Sequence, residues 1–410
     1  MRRALLLVLA LLAACAGAPR ISLEAGPAPP ALERSFARFW DAALAFDLES
    51  AEALASGPGE RLYLQALRAI AADRLAEALG LLSGLVQSED ATLAARSKAL
   101  LAGIVKEGPY LPANAFTSQV DRSFAEALLE ARAKEKWRFP AGTVALPFER
   151  RGSPTPIVPI GVNGKHATLG LDTGAGLTVI GSELAAAVGA KRTGARTGAR
   201  DAHGEEVRVE LAVVDLQVGA IVIERHPVIV IDSARLRFSV AGIEIAGFDG
   251  VLGWNAIRGL RVVVDNPAGV VRFGPSANRI APPRDLFWIG EPYVRARAAN
   301  GFPLRLFLDT GASRSALAMP LAADSGLRDG EIRSTLVMGA GSSRRTEVTV
   351  FRDAALQVGG ARVSFGELQG IEPRATGYSV RDGVLGADVL SEGRVTIDFG
   401  SGEFSIEPAR

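Results

Sequence analysis

The sequence is poorest in the residues that build covalent and metal frameworks. Its 410 residues include one cysteine, Cys15, which excludes an internal disulfide framework and any cysteine-based zinc site. Three histidines, His166, His203 and His226, are scattered along the chain without an H-E-x-x-H, so no metal centre is expected. Each is read as a surface or turn residue. An excess of one charge is also missing: 46 Lys and Arg stand against 45 Asp and Glu, and no basic run carries interleaved aromatics. That balance argues against a nucleic-acid partner. No G-x-S-x-G elbow points to a serine nucleophile. "GVNGK" (Gly161 to Lys165) lacks the length and the Ser/Thr of a phosphate-binding loop and reads as a hairpin turn. No cofactor is implied. Long apolar runs are confined to the N-terminus, and no later stretch is long enough to span a bilayer.

What is present is ample apolar material. At 48% hydrophobic residues the chain can supply the cores of two or three domains. It begins "MRRALLLVLALLAACAG": Arg2 and Arg3 precede a short apolar stretch, Ala4 to Leu12, and small residues follow, the pattern of a secretory signal over residues 1–14. "LAAC" (Leu12 to Cys15) resembles the lipobox of bacterial lipoproteins. That resemblance implies cleavage before Cys15, acylation of its thiol and a lipid-bilayer tether in a Gram-negative cell envelope. Ala16, which is not aspartate, favours the outer membrane, facing the periplasm. Ordinary cleavage after Ala16 or Ala18, discarding Cys15, is the alternative. Residues 15–30, rich in Pro, Gly and Ala, read as a flexible linker.

From Ala31 to about Trp137 apolar residues recur at spacings of three and four, Ala and Leu dominate, and β-branched residues are rare. An all-α domain is expected over residues 31–138. Within it Glu60 to Val86 reads as two antiparallel helices joined near Asp73, a hairpin that resembles a single tetratricopeptide unit and fits a plain bundle equally well. Such a domain can bind a protein partner or act as a pro-segment over a neighbouring site; it offers no catalytic cluster.

After Phe139 the composition turns to Val, Ile, Gly and Pro in short runs bounded by turn residues, so the remainder is expected to be all-β. The pattern comes twice. "LDTGA" begins at Leu171 and at Leu308, and a glycine, Gly204 or Gly341, lies 32 residues after each aspartate. "LQVG" recurs at Leu216 and Leu356, "DGVLG" at Asp249 and Asp382, and a terminal strand carrying aspartate closes each half. Five landmarks in one order make an internal duplication. The halves are placed at residues 139–280 and 281–410.

Asp-Thr-Gly alone can be a plain turn. Two copies with matching surroundings call for chemistry. If the halves meet about a pseudo-twofold axis, Asp172 and Asp309 come face to face. Two adjacent carboxylates cannot both ionise cheaply, so the pair keeps one proton and offers one base and one acid. The base can take a proton from a water held between them while the acid polarises a peptide carbonyl. Thr173 and Thr310 supply hydroxyls that can bond across the seam, and Gly174 and Gly311 allow close backbone approach.

These motifs resemble the aspartic protease superfamily, over about Val144 to Pro408. Its second motif, two hydrophobic residues and a glycine, is matched by Val251-Leu252-Gly253 and Val384-Leu385-Gly386. Ala175 and Ala312, where pepsin-like enzymes carry a hydroxyl, and the short lobes make the chain more similar to bacterial retropepsin-like proteins. The resemblance implies a bilobal β-fold of tandem, double-psi-barrel-like lobes, with a cleft that takes an extended polypeptide. It implies a glycine-tipped flap on each lobe, at Gly204 and Gly341, with His203 at a tip where it could touch substrate. Because one chain carries both halves, no dimer is needed. A hydroxyl missing at residues 175 and 312 leaves the dyad less acidic, so activity is expected at mildly acidic to near-neutral pH. The reading from another class is a peptide-binding scaffold without catalysis; degenerate loops would favour it, and both loops here are complete.

Overall fold

The computed structural model describes residues 21–116, 118–200, 206–240, 243–277, 285–339, 342–373 and 375–409. Cys15 and the leader lie outside the described residues, as do His203, Gly204 and Gly341.

Local chemistry sets the helices. Asp47, Asp90 and Ser118 cap Leu48–Leu54, Ala91–Ile104 and Gln119–Ala133 by accepting from first-turn amides, and Pro58 opens Pro58–Ala71, where its missing N–H costs nothing. Pro58–Ala71 turns into Leu75–Leu85 at Asp73, whose φ of 54° lets the chain reverse. The facing stripes of that hairpin, Tyr63, Leu67 and Ile70 against Leu79 and Leu82, are buried. No helix among the described residues is long and apolar enough to cross a membrane.

From Lys136 onward the chain is mainly β-structure, in two lobes that share one strand order, with short helices at Ser182–Ala187 and Trp254–Ile257 departing from the all-β expectation. In the first lobe the neighbours run Ile221–Ile231, Thr178–Gly181, Gly250–Leu252, Lys165–Leu171, Ile157–Val162, Glu206–Val218, Lys191–Arg200. In the second they run Ala361–Ile371, Ala316–Ala318, Gly383–Leu385, Pro303–Leu308, Pro292–Ala298, Ser342–Val358, Glu331–Gly339. Strand matches strand along the whole path, so the duplication read from five landmarks is a duplication of topology. The fold is the expected one, a helical region followed by a bilobal β-structure.

The terminal strands of the two halves do not stay in their lobes. Leu260–Asp265 pairs antiparallel with Arg394–Asp398, setting Val263 opposite Thr396, and this pair joins the two halves in one five-stranded sheet. Their alternating apolar residues, Val262, Val264, Val395 and Ile397, are buried there.

Two short strands correct the linker and boundary expectations. Ile21–Ala25 lies in the stretch read as a flexible linker, yet it pairs antiparallel with Ala361–Ile371 at the edge of the second lobe and buries Ile21. An open sheet edge offers unpaired amides and carbonyls, and an apolar residue at the right register suffices to seat a strand on it. Lys136–Arg138, read as the end of the helical domain, takes the equivalent edge of Ile221–Ile231 in the first lobe. The helices therefore hang between two edge strands, one on each lobe.

Packing ties them down further. Phe46 stacks on Phe287 with centroids 5.3 Å apart, Arg305 Nη2 donates to the Leu44 carbonyl at 2.9 Å, and Arg34 Nη1 meets Asp382 at 2.7 Å. At the other end, Phe124 and Leu128 of Gln119–Ala133 cover Val207, Val209 and Leu211 of the first lobe's hairpin. Trp254 and Trp288 are buried in the cores. His226, read as a surface or turn residue, is wholly buried in the strand Ile221–Ile231, where two polar side chains satisfy its ring nitrogens.

Candidate active site

Each Asp-Thr-Gly loop begins where a buried strand runs out. Lys165–Leu171 and Pro303–Leu308 are central strands, each with a parallel neighbour cut from the "DGVLG" motif: Leu252 sits beside Leu171 and Leu385 beside Leu308. The next residue leaves the sheet. Its amide still donates to the parallel neighbour, Asp172 N to Leu252 O at 3.1 Å and Asp309 N to Leu385 O at 3.0 Å, while its carboxylate turns toward the other lobe. The glycines of "DGVLG" are demanded by crowding. A Cβ at Gly250 would fall 2.1 Å from Val179 O, and one at Gly383 2.2 Å from Ala316 O. At Gly253 and Gly386 it would strike the backbone at Leu177 and Arg314, where the chain leaving each loop crosses.

The two loops lock across the seam. Thr173 Oγ1 donates to Leu308 O at 2.7 Å and accepts from Thr310 N at 3.0 Å; Thr310 Oγ1 donates to Leu171 O at 2.7 Å and accepts from Thr173 N at 3.0 Å. Both threonines are 1% exposed, so no water competes for these bonds. Gly174 and Gly311 have a stricter role than backbone freedom alone. A Cβ on Gly174 would lie 2.3 Å from Asp309 Oδ1, and one on Gly311 2.6 Å from Asp172 Oδ1: each carboxylate rests on the other loop's glycine.

Charge follows from this packing. Asp172 Oδ1 accepts from Gly174 N and Ala175 N at 3.0 Å, and Asp309 Oδ1 accepts from Gly311 N and Ala312 N at 3.1 Å, leaving each Oδ2 for other partners. Burial pushes Asp172 up to about 7, the neighbouring Asp309 charge adds to the rise, and the two amides pull against it. Burial raises Asp309 in the same direction, against its own two amides and the Arg381 guanidinium. A pair that resists double ionisation holds one proton between two oxygens, which is the state general acid–base chemistry on a bound water requires. Among the described residues no group of three or more His, Cys, Asp or Glu is placed to hold a metal ion.

Behind each loop lies a polar support that motif reading passed over. In the second lobe Ser315 Oγ donates to Asp388 Oδ1 at 2.6 Å and accepts from Gly386 N at 3.0 Å. In the first, Thr178 Oγ1 bonds Asn255 Oδ1 at 3.0 Å and accepts from Gly253 N at 3.2 Å. Thr178 and Ser315 each follow the aspartate by six residues, and Asn255 and Asp388 each follow the motif glycine by two, so a finer comparison of the halves could have found them. Arg381, paired with Glu291 and lying 4.0 Å over the Phe307 ring, has no such signal. Antiparallel strands flank each position expected for a flap tip, Lys191–Arg200 with Glu206–Val218 and Glu331–Gly339 with Ser342–Val358, and Gly204, His203 and Gly341 themselves lie outside the described residues.

Strand order, locked loops and paired carboxylates define a two-lobed β-protein with a symmetric acidic dyad at its seam. A family model described as aspartyl protease matches residues 158–256 and 294–389, one segment for each lobe and its Asp-Thr-Gly loop. Each lobe is thus similar to the aspartyl protease family. Among solved structures it is similar to an aspartic proteinase from Irpex lacteus, at 11% identity and a TM-score of 0.40, over 65% of this chain and 98% of that one. Comparison with curated proteins returned no match.

Proposed function

We propose that the chain is an endopeptidase that hydrolyses peptide bonds between Asp172 and Asp309. The observation that carries this reading is the mutual seating of each carboxylate on the opposite loop's glycine, with Asp172 raised to about 7 by burial and its partner's charge. In the singly protonated pair the ionised oxygen removes a proton from a water held between the two groups. The protonated one hands its proton to the scissile carbonyl as the water oxygen bonds to carbon. The tetrahedral species collapses when the leaving amine takes a proton from the dyad, and no covalent enzyme intermediate forms. An extended polypeptide is the substrate class, which the similarity of both lobes to the aspartyl protease family supports. Both catalytic loops come from one chain, so a monomer suffices.

The tether is part of the proposal. "LAAC" at Leu12 to Cys15 supports acylation of Cys15 and a periplasm-facing position on the outer membrane, with Ile21–Ala25 attaching the second lobe a few residues further on. The deciding experiment pairs a peptide-library digest by the wild type with the same digest by Asp172→Asn and Asp309→Asn. Cleavage by the wild type and by neither variant is expected; cleavage by either variant overturns the dyad. Labelling with a fatty-acid probe, lost in Cys15→Ala, tests the anchor.

A further inference from the structure

Among the buried ionisable groups that this chemistry leaves unused, His226 is the one whose partners dictate its state. It is 0% exposed, with Nδ1 2.5 Å from Glu135 Oε1 and Nε2 3.1 Å from Thr178 Oγ1. Glu135 follows the last helix, Gln119–Ala133, so a group brought by the helical region reaches the support of the Asp172 loop.

The protons can be counted. Asn255 has one orientation: the atom facing the Thr178 amide at 2.8 Å must be its oxygen, and the atom facing the Pro227 carbonyl at 2.9 Å must be its NH2. Thr178 Oγ1 has one proton and three neighbours. Gly253 N can only donate to it, and Asn255 Oδ1 can only accept from it. The hydroxyl proton thus goes to Asn255, and His226 Nε2 must carry a proton of its own. Nδ1 faces a carboxylate. An ionised carboxylate can only accept, so Nδ1 carries a proton as well.

We propose that His226 is a positioning residue held as an imidazolium by Glu135, which braces the Asp172 loop through Thr178. The loop is reached in two further hydrogen bonds, Trp254 N to Ala175 O at 2.7 Å and Asn255 N to Gly176 O at 3.2 Å. The second lobe does without this brace. Gly366 stands where His226 stands, each seven residues after its "LQVG" glycine, and the carboxylate of Asp388 replaces the Asn255 amide. The helical region therefore serves one catalytic loop of two. The catalytic consequence rests on the hydrolysis proposed above; the charge and the brace do not.

The test uses the full chain labelled with 15N-histidine near pH 7, where three histidines give few signals and His226→Gln assigns the third. Two protonated ring nitrogens are expected, and a ring with one bare nitrogen overturns the proposal. In Glu135→Gln one ring nitrogen should lose its proton, and in uniformly 15N-labelled chain the amide signals of Ala175 and Gly176 should shift. kcat should fall about tenfold while KM stays within about twofold, the size of effect expected from one misplaced hydrogen bond, with Glu135→Asp restoring most of it. Unmoved Ala175 and Gly176 signals overturn the brace whether or not the wild type cleaves peptides. Absence of cleavage by the wild type counts against the dyad alone.

Discussion

Thr173 and Thr310 each donate to the carbonyl of the residue that precedes the other loop's aspartate, so each lobe holds in place the strand end from which the other's Asp-Thr-Gly loop starts. Replacing Thr310 by Val keeps the shape and removes the hydroxyl. Leu171 O and Thr173 N then lose their partners in a dry seam, and each unsatisfied buried group costs about 1–3 kcal/mol. Thermal unfolding of Thr310→Val should show a loss of about 2 kcal/mol or more, and peptide hydrolysis should fall with it. A variant with unchanged stability would show that the seam is held by other contacts.

Gly174→Ala and Gly311→Ala are expected to abolish hydrolysis while far-UV circular dichroism stays unchanged, because the new methyl would displace the facing carboxylate. Gly176→Ala supplies the control within the same loop. Its Cβ would meet nothing within 4 Å, so activity should persist. Equal losses at all three positions would mean that loop flexibility, not carboxylate seating, is what the glycines provide.

Burial raises Asp172 to about 7, which fixes the sign of two pH effects. In the unfolded chain this carboxyl loses its proton near pH 4, at about the ordinary aspartate value. The folded chain keeps its proton longer, so the stability that proton contributes is complete below about pH 4 and is lost as pH rises through about 7. Asp388, raised to about 6 by burial, acts in the same direction. Denaturant unfolding from pH 4 to 8 should therefore show falling stability, with a shallower fall in Asp172→Asn. Hydrolysis should decline on the alkaline side near pH 7, where the dyad loses its shared proton. A rate maximum well below pH 4 would contradict both.

Removal of residues 1–134 should not release a more active enzyme, as removal of a pro-segment would. Truncation strips Phe46 from Phe287 and Leu44 from Arg305, and it leaves Asp382 without Arg34. The truncated chain is expected to bind a hydrophobic dye and to lose its cooperative unfolding transition. Arg34→Ala, a milder version, should cost about 1–3 kcal/mol, because the Asp382 carboxylate loses a charge-assisted hydrogen bond while keeping the Arg305 amide. Full activity in the truncated chain would make the helices a removable cover.

Motif spacing was enough to find Asp172, Asp309 and their threonines, because a duplicated loop repeats its residue types in order. The helix periodicity and the turn at Asp73 were legible for a similar reason: capping and amphipathic spacing are local. The strand at Ile21–Ala25 was not, since a Pro- and Gly-rich stretch looks the same whether it is free or seated on an open sheet edge. Buried His226 was equally hidden, its partners lying 91 residues before it and 48 before it in sequence.

Composition and order along the chain determined the two-part architecture, the doubled lobe and the pair of acids. Tertiary structure alone decided that each acid rests on the opposite glycine, that the helices are anchored to both lobes, and that only one loop is braced by a histidine. Those features depend on distances between residues far apart in sequence, and such distances are set by how whole layers pack, which no local pattern of residue types encodes.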